Sequence, residues 1–139
     1  MKTMLILLSL MASIGWRVDE QPRSDMATVL IYRQREFGGR TYDLNLNGKP
    51  ASYLSPNRFL KATIAPGRVK IQAEGPYLTD TKTLTFTAES GQIYYIKAVE
   101  DIDFMTRALL MARVSEEQAK RELSRIKPME PAQSDQNHE

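Results

Sequence analysis

The residues best able to do chemistry in this chain are a group of arginines and a group of carboxylates. Among 139 residues there is no cysteine, and the one histidine, His138, stands next to the C-terminus. Without a thiol there is no disulfide, thiolate metal site or cysteine nucleophile. A lone histidine rules out a multi-histidine metal site built within one chain, and its place in a polar tail argues against a His-based triad. No glycine-rich phosphate loop or HExxH-type zinc motif occurs. Arg33, Arg35 and Arg40 gather around a single Glu36, and guanidinium forks suit anionic groups such as those of a lipid headgroup or a glycan. The plainer reading of the stretch is a solvated loop. Asp101 and Asp103 could be read as a catalytic pair or part of a calcium site. A calcium loop needs more oxygen ligands at close spacing, and a carboxylate dyad needs a pocket. An exposed acidic turn is the sufficient reading. No catalytic residue, metal site or cofactor is expected.

The elements that must position these residues are written in local signals. Ala27 to Arg33 is β-branched and aromatic and apolar on both parities from Val29 to Tyr32, which predicts a central strand. Gln34 to Arg40 ends in Gly38-Gly39, a breaker pair. Tyr42, Leu44 and Leu46 then alternate with Asp43, Asn45 and Asn47. Asn47-Gly48 suits a type I′ turn, and Pro50 places the returning strand at an edge. Leu60, Ala62 and Ile64 predict the buried face of the next strand. Ala65-Pro66-Gly67 makes a tight turn, after which Val69, Ile71 and Ala73 point inward. From Tyr42 to Gly75 the pattern reads as a β-meander. A loop follows from Gly75 to Asp80. Leu84, Phe86 and Ala88 alternate with a threonine stripe, and Gln92 to Val99 is again apolar on both parities. Thr106 to Val114 is the last strand candidate, although Arg107 to Arg113 would also suit a helix. Ser115 is a good N-cap, with Gln118 at the capping-box position, and predicts a helix that Pro128 stops.

Together these features predict a mainly β protein: a small antiparallel β-sandwich of about seven or eight strands with one C-terminal helix, spanning residues 27–127. Residues 128–139 form a polar, proline-containing tail expected to be disordered. The net charge of +2, with both signs interleaved, leaves no footprint for nucleic acid.

The N-terminus carries a different message. Lys2 precedes the apolar run Met4 to Ile14, which ends at Gly15; this is the pattern of a secretory signal peptide over residues 1–15, followed by a polar linker, 16–26. Leu10 to Trp16 resembles a bacterial lipoprotein signal, with Trp16 where the lipidated cysteine belongs. An indole cannot carry a thioether-linked diacylglyceryl group, so the lipidation position is lost at Trp16. Either the chain is released by ordinary signal peptidase, for which Ser13 and Gly15 are small enough, or Trp16 is a single-base departure from cysteine. Membrane association then requires lipidation or an uncleaved signal.

With the strands placed, the chain resembles the domain of unknown function 2846 family of bacterial envelope lipoproteins. The resemblance rests on Val29 to Arg33, Asn47-Gly48-Lys49, Ala65-Pro66-Gly67, Ala88 to Ile96 and the closing helix, Glu116 to Lys127. The inner part is also similar to PEGA-type β-sandwich repeats. The resemblance implies an exported β-sandwich in the periplasm or at the outer membrane, with no assigned chemistry. The expectation is a non-enzymatic binding or accessory module whose partner is an envelope protein, a glycan or a lipid. The alternative is an assembly role, by pairing of a sheet edge or of the Tyr94-Tyr95 surface. A ligand would sit at the Arg33–Arg40 loop or the Gly75–Asp80 loop.

Overall fold

The computed structural model describes residues 25–128. The apolar run, Trp16 and the tail from residue 129 lie outside the described residues. Ten strands and one helix follow in order: β1 (Ala27–Arg33), β2 (Tyr42–Leu46), β3 (Lys49–Leu54), β4 (Arg58–Ile64), β5 (Gly67–Glu74), β6 (Thr79–Asp80), β7 (Lys82–Ala88), β8 (Ile93–Ile102), β9 (Arg107–Val114), α1 (Glu116–Leu123) and β10 (Lys127–Pro128). The strands form two sheets, ordered β10-β4-β1-β8-β9-β6 and β3-β2-β5-β7. The described residues form a mainly β sandwich with a single C-terminal helix, as the sequence pattern predicts. Strands β6 and β10 are two-residue pairings, which leaves eight longer strands.

Three features depart from the local reading. The six-stranded sheet is mixed, because β1 and β8 run parallel with Val29 opposite Tyr94. The expected meander is broken, because β4 leaves β3 and pairs with β1 in the other sheet, Ala27 opposite Ile64. The Ser55–Asn57 connection, with Asn57 at φ +58°, carries the chain from sheet to sheet. Finally, the helix ends at Leu123, and Pro128 belongs to the sheet, where Lys127 pairs with Arg58.

Strand β1 is buried along nearly its whole length because both of its faces are covered. Ala27, Val29 and Ile31 point between the sheets, into a core with Leu44, Leu54, Val69, Ile71 and Ile96. Each large aliphatic side chain buried there contributes about 1.5–3 kcal/mol relative to exposure. Tyr32 points the other way, into a smaller cluster with Ala119 and Ile126. An eight-residue helix is too short to stand alone, and this cluster is what holds α1. Ser115 Oγ accepts from the Gln118 N–H at 3.2 Å and caps it. The helix thus forms a third layer, over the outer face of the six-stranded sheet. Arg107–Val114 resolves as strand because it completes that sheet beside β8, Ala98 opposite Met111.

The two ends of the sandwich are built differently. Asn47-Gly48, Pro66-Gly67 and Ser90-Gly91 close one end in tight turns; Asn47 (φ +51°) and Gly48 (φ +79°) have the two positive values of a type I′ turn. The opposite end collects the connections of residues 34–41, 55–57, 75–78 and 103–106.

Candidate functional site: the loop end of the sandwich

Alternation along β1 determines the chemistry of the loop end. Arg33 continues the inward row of Ala27, Val29 and Ile31, so a guanidinium enters the sandwich where a further aliphatic residue would otherwise lie. Arg33 is fully buried. Its Nη2 donates to Glu36 Oε2 at 2.6 Å, and its Nη1 donates to the carbonyls of Arg40 at 2.6 Å and Leu54 at 3.0 Å. The guanidinium carbon lies 5.7 Å from the centre of the Tyr42 ring, within cation–π range.

Glu36 extends this pair into a network. Its Oε1 accepts from the Glu100 backbone N–H at 3.1 Å. Glu100 Oε2 accepts from the Arg40 N–H at 3.3 Å, and Glu100 Oε1 lies 3.6 Å from Arg107 Nη1. The Tyr42 hydroxyl is buried beside Glu100 without a well-formed hydrogen bond. Burial first, then the Glu100 carboxylate, push its pKa well above the ordinary tyrosine value, against a smaller pull from Arg33 and Arg40. Gly39 makes the packing possible: a Cβ there would stand 2.7 Å from Pro56 Cγ and 2.9 Å from both Arg33 Nη2 and Glu36 Oε2. This network fastens the β1–β2 loop to β8 and β9, and its charges are turned inward.

Above the network the loop tips present large apolar side chains to solvent. Phe37, Tyr77, Leu78, Ile102, Phe104 and Met105 are all exposed, and Phe37 and Phe104 are almost wholly so. Backbone bonds hold the tips in place: Arg107 N–H donates to Leu78 O at 3.2 Å, and Asp103 N–H to Thr106 O at 2.9 Å. Arg40 Nη1 donates to Tyr77 O at 3.0 Å. Arg40 and Arg107 join Leu78, Ile102, Phe104 and Met105 around a depression of about 220 Å³.

The three arginines of the first loop are therefore divided. Arg33 is buried and committed to internal partners, which removes it from any surface anion contact. Arg40 braces the apolar tips. Arg35 remains exposed and lines a separate cleft of about 840 Å³ with Asn57, Arg121 and Arg125. Asp101 and Asp103 are exposed, and no group of three metal-ligating side chains forms among the described residues. The Tyr94-Tyr95 pair is not a surface. Tyr94 faces the other sheet, its hydroxyl accepting from the Glu89 N–H at 2.8 Å, and Tyr95 packs beneath the helix.

Sequence reasoning missed the apolar tips. The available signal was the presence of Phe37, Tyr77, Leu78, Phe104 and Met105 inside segments bounded by glycine, proline or aspartate, where a core residue has no strand to belong to. It also missed the pairing of Glu36 with Glu100, which no spacing encodes.

A second ionic site lies under the helix. Lys97 Nζ is 2.7 Å from Glu122 Oε2, and Gln118 Nε2 donates to Glu122 Oε1 at 2.8 Å. Burial alone would raise the Glu122 pKa; the lysine and the amide outweigh it and hold the carboxyl below its ordinary range. The Tyr32 hydroxyl beside it is pushed up to about 12, by burial first and by the Glu122 charge second.

Compared with known proteins, the chain matches no family model, no curated protein and no solved structure.

Proposed function

We propose that the protein is a non-enzymatic, exported cell-envelope module that binds another envelope protein through its loop end. One observation carries this reading: six large apolar side chains stand exposed at one end of the sandwich, four of them (Leu78, Ile102, Phe104 and Met105) around one depression, braced from below by the Arg33–Glu36–Glu100 network. Contiguous exposed apolar surface of this kind marks interaction sites, and aromatic residues are enriched where such interfaces are most buried. The charged groups beneath bond to one another, which suits a rigid platform better than an acid–base site. Export is supported by the charged and apolar N-terminal run, and the envelope setting by the resemblance to the domain of unknown function 2846 family.

A photo-crosslinking amino acid placed at Tyr77 in living cells tests the reading. A discrete protein adduct that disappears when Phe104→Ser is added supports it. Absence of any adduct in the envelope fraction overturns it.

A second reading has its own observation. Strand β7 ends the four-stranded sheet, is seven residues long and contains no proline, so among the described residues its outer edge is unpaired and suits strand addition. The same crosslinker at Thr85 separates the two: an adduct from Thr85 and none from Tyr77 selects the edge.

A further inference from the structure

We infer that the cleft between the β1–β2 loop and the C-terminal end of α1 binds phosphate groups, carried on a ligand of polyol size. This cleft is separate from the apolar loop tips, and the inference does not depend on the partner proposed for them. Arg35 reaches the cleft from the β1–β2 loop; Arg121 and Arg125 reach it from the end of the helix and the turn after it. Arg35 is far in sequence from Arg121 and Arg125, which stand one turn apart, and it joins them only through the fold. All three side chains are exposed, and among the described residues none of them lies within ion-pair distance of a carboxylate.

The one carboxylate in the lining, Glu122, is already held by Lys97 and Gln118. Among the described residues the cleft therefore carries three positive charges without a counter-charge of its own. Part of this charge complements the carbonyl end of the helix dipole, which accounts for Arg121 and Arg125. It does not account for Arg35, which belongs to another element. Several guanidinium forks around one space suit a tetrahedral phosphate, which offers oxygens to more than one fork, better than a single carboxylate, which one fork saturates. Gln34, Asn57 and Ser124 also line the cleft and supply amide and hydroxyl groups for a ligand's own hydroxyls. The floor is fixed before any ligand arrives. Asn57 N–H donates to Gln34 O at 3.2 Å, and Lys127 N–H donates to Asn57 O at 3.4 Å.

Phosphate on a polyol occurs both in soluble esters and in lipid headgroups, and the test has an arm for each. Binding of pyrophosphate and of glycerol phosphate is measured by calorimetry. Binding to vesicles of phosphatidylglycerol is compared with vesicles of phosphatidylcholine by sedimentation. Saturable binding in either arm is expected, and the stronger arm identifies the source. Arg35→Gln and Arg121→Gln should each weaken it about tenfold, the effect of losing one charge-assisted hydrogen bond. Arg68→Gln removes the same charge from an exposed position at the tight-turn end and should change binding by less than about twofold, since salt screens charges at that separation. All three arginines are exposed, so melting temperatures should confirm that each variant folds. The inference fails if neither arm shows binding, if Arg68→Gln weakens binding as much as Arg35→Gln, or if citrate binds as tightly as pyrophosphate.

Discussion

Glu36 Oε1 accepts a hydrogen bond from the backbone N–H of Glu100 at 3.1 Å, across 64 residues of chain. The other oxygen of the same carboxylate holds buried Arg33. One side chain thus satisfies an internal charge and fixes the position of the β8 end, from which the loop bearing Phe104 and Met105 projects. The rigidity of the loop end depends on this carboxylate.

Glu36→Gln should therefore be strongly destabilising. It leaves Arg33 charged, buried and unpaired, and breaking such a pair from one side costs about 3–5 kcal/mol. Glu36 is itself 21% exposed, which places the expected loss toward the lower end. Urea unfolding measures it. Combined with Arg33→Met, the loss should be smaller than the sum of the two single changes, by about 0.5–3 kcal/mol. Strict additivity would show that the pair is not coupled.

Gly39→Ala tests the same region without touching a charge. The new methyl would meet Pro56 Cγ at 2.7 Å and the ion pair at 2.9 Å. Overpacking of this kind costs about 1–3 kcal/mol. An unchanged melting temperature would mean that the loop has room the structure does not show.

At the other end Gly67 adopts φ +126° with open space around it. A β-branched residue is excluded there by its backbone, not by a neighbour. Gly67→Val should destabilise by about 1–3 kcal/mol and should leave partner and anion binding intact in the folded fraction. A fully stable variant would contradict the turn geometry.

The site under the helix should give stability a defined pH dependence. The Glu122 carboxyl is lowered in the folded state, so its contribution is complete above the ordinary carboxylate range and is lost as pH falls through the folded value. The acid limb of a stability profile should be flatter in Glu122→Gln. The Tyr32 hydroxyl is raised to about 12, above an unfolded value of about 10. Its contribution is complete below the unfolded value and is lost as pH rises through the folded one. Tyr32→Phe should remove this alkaline loss. A profile unchanged on either limb would refute the corresponding shift.

Phe104→Ser should leave stability within about 0.5 kcal/mol, because a side chain this exposed loses little on replacement. The crosslink from Tyr77 should nevertheless vanish. A large drop in stability would instead make Phe104 part of the fold.

Much of the architecture was determined by the sequence alone. Two-residue alternation assigns the inward faces of β2, β4, β5 and β7, and doubled apolar parity places β1 and β8 centrally. Asn47-Gly48 and Pro66-Gly67 write their own turns, and Ser115 caps the helix. These signals are local, each read from a few adjacent residues and their backbone preferences. The loop end was decided by tertiary structure. Arg33, Arg35 and Arg40 look alike in sequence, yet strand parity sends Arg33 into the core while Arg40 braces the loop tips and Arg35 faces solvent. Glu36 meets Glu100, and Arg35 meets Arg121 and Arg125, only because β1 and β8 lie side by side and α1 folds over them. Pairing between distant segments depends on which strands become neighbours, and no spacing along the chain records that.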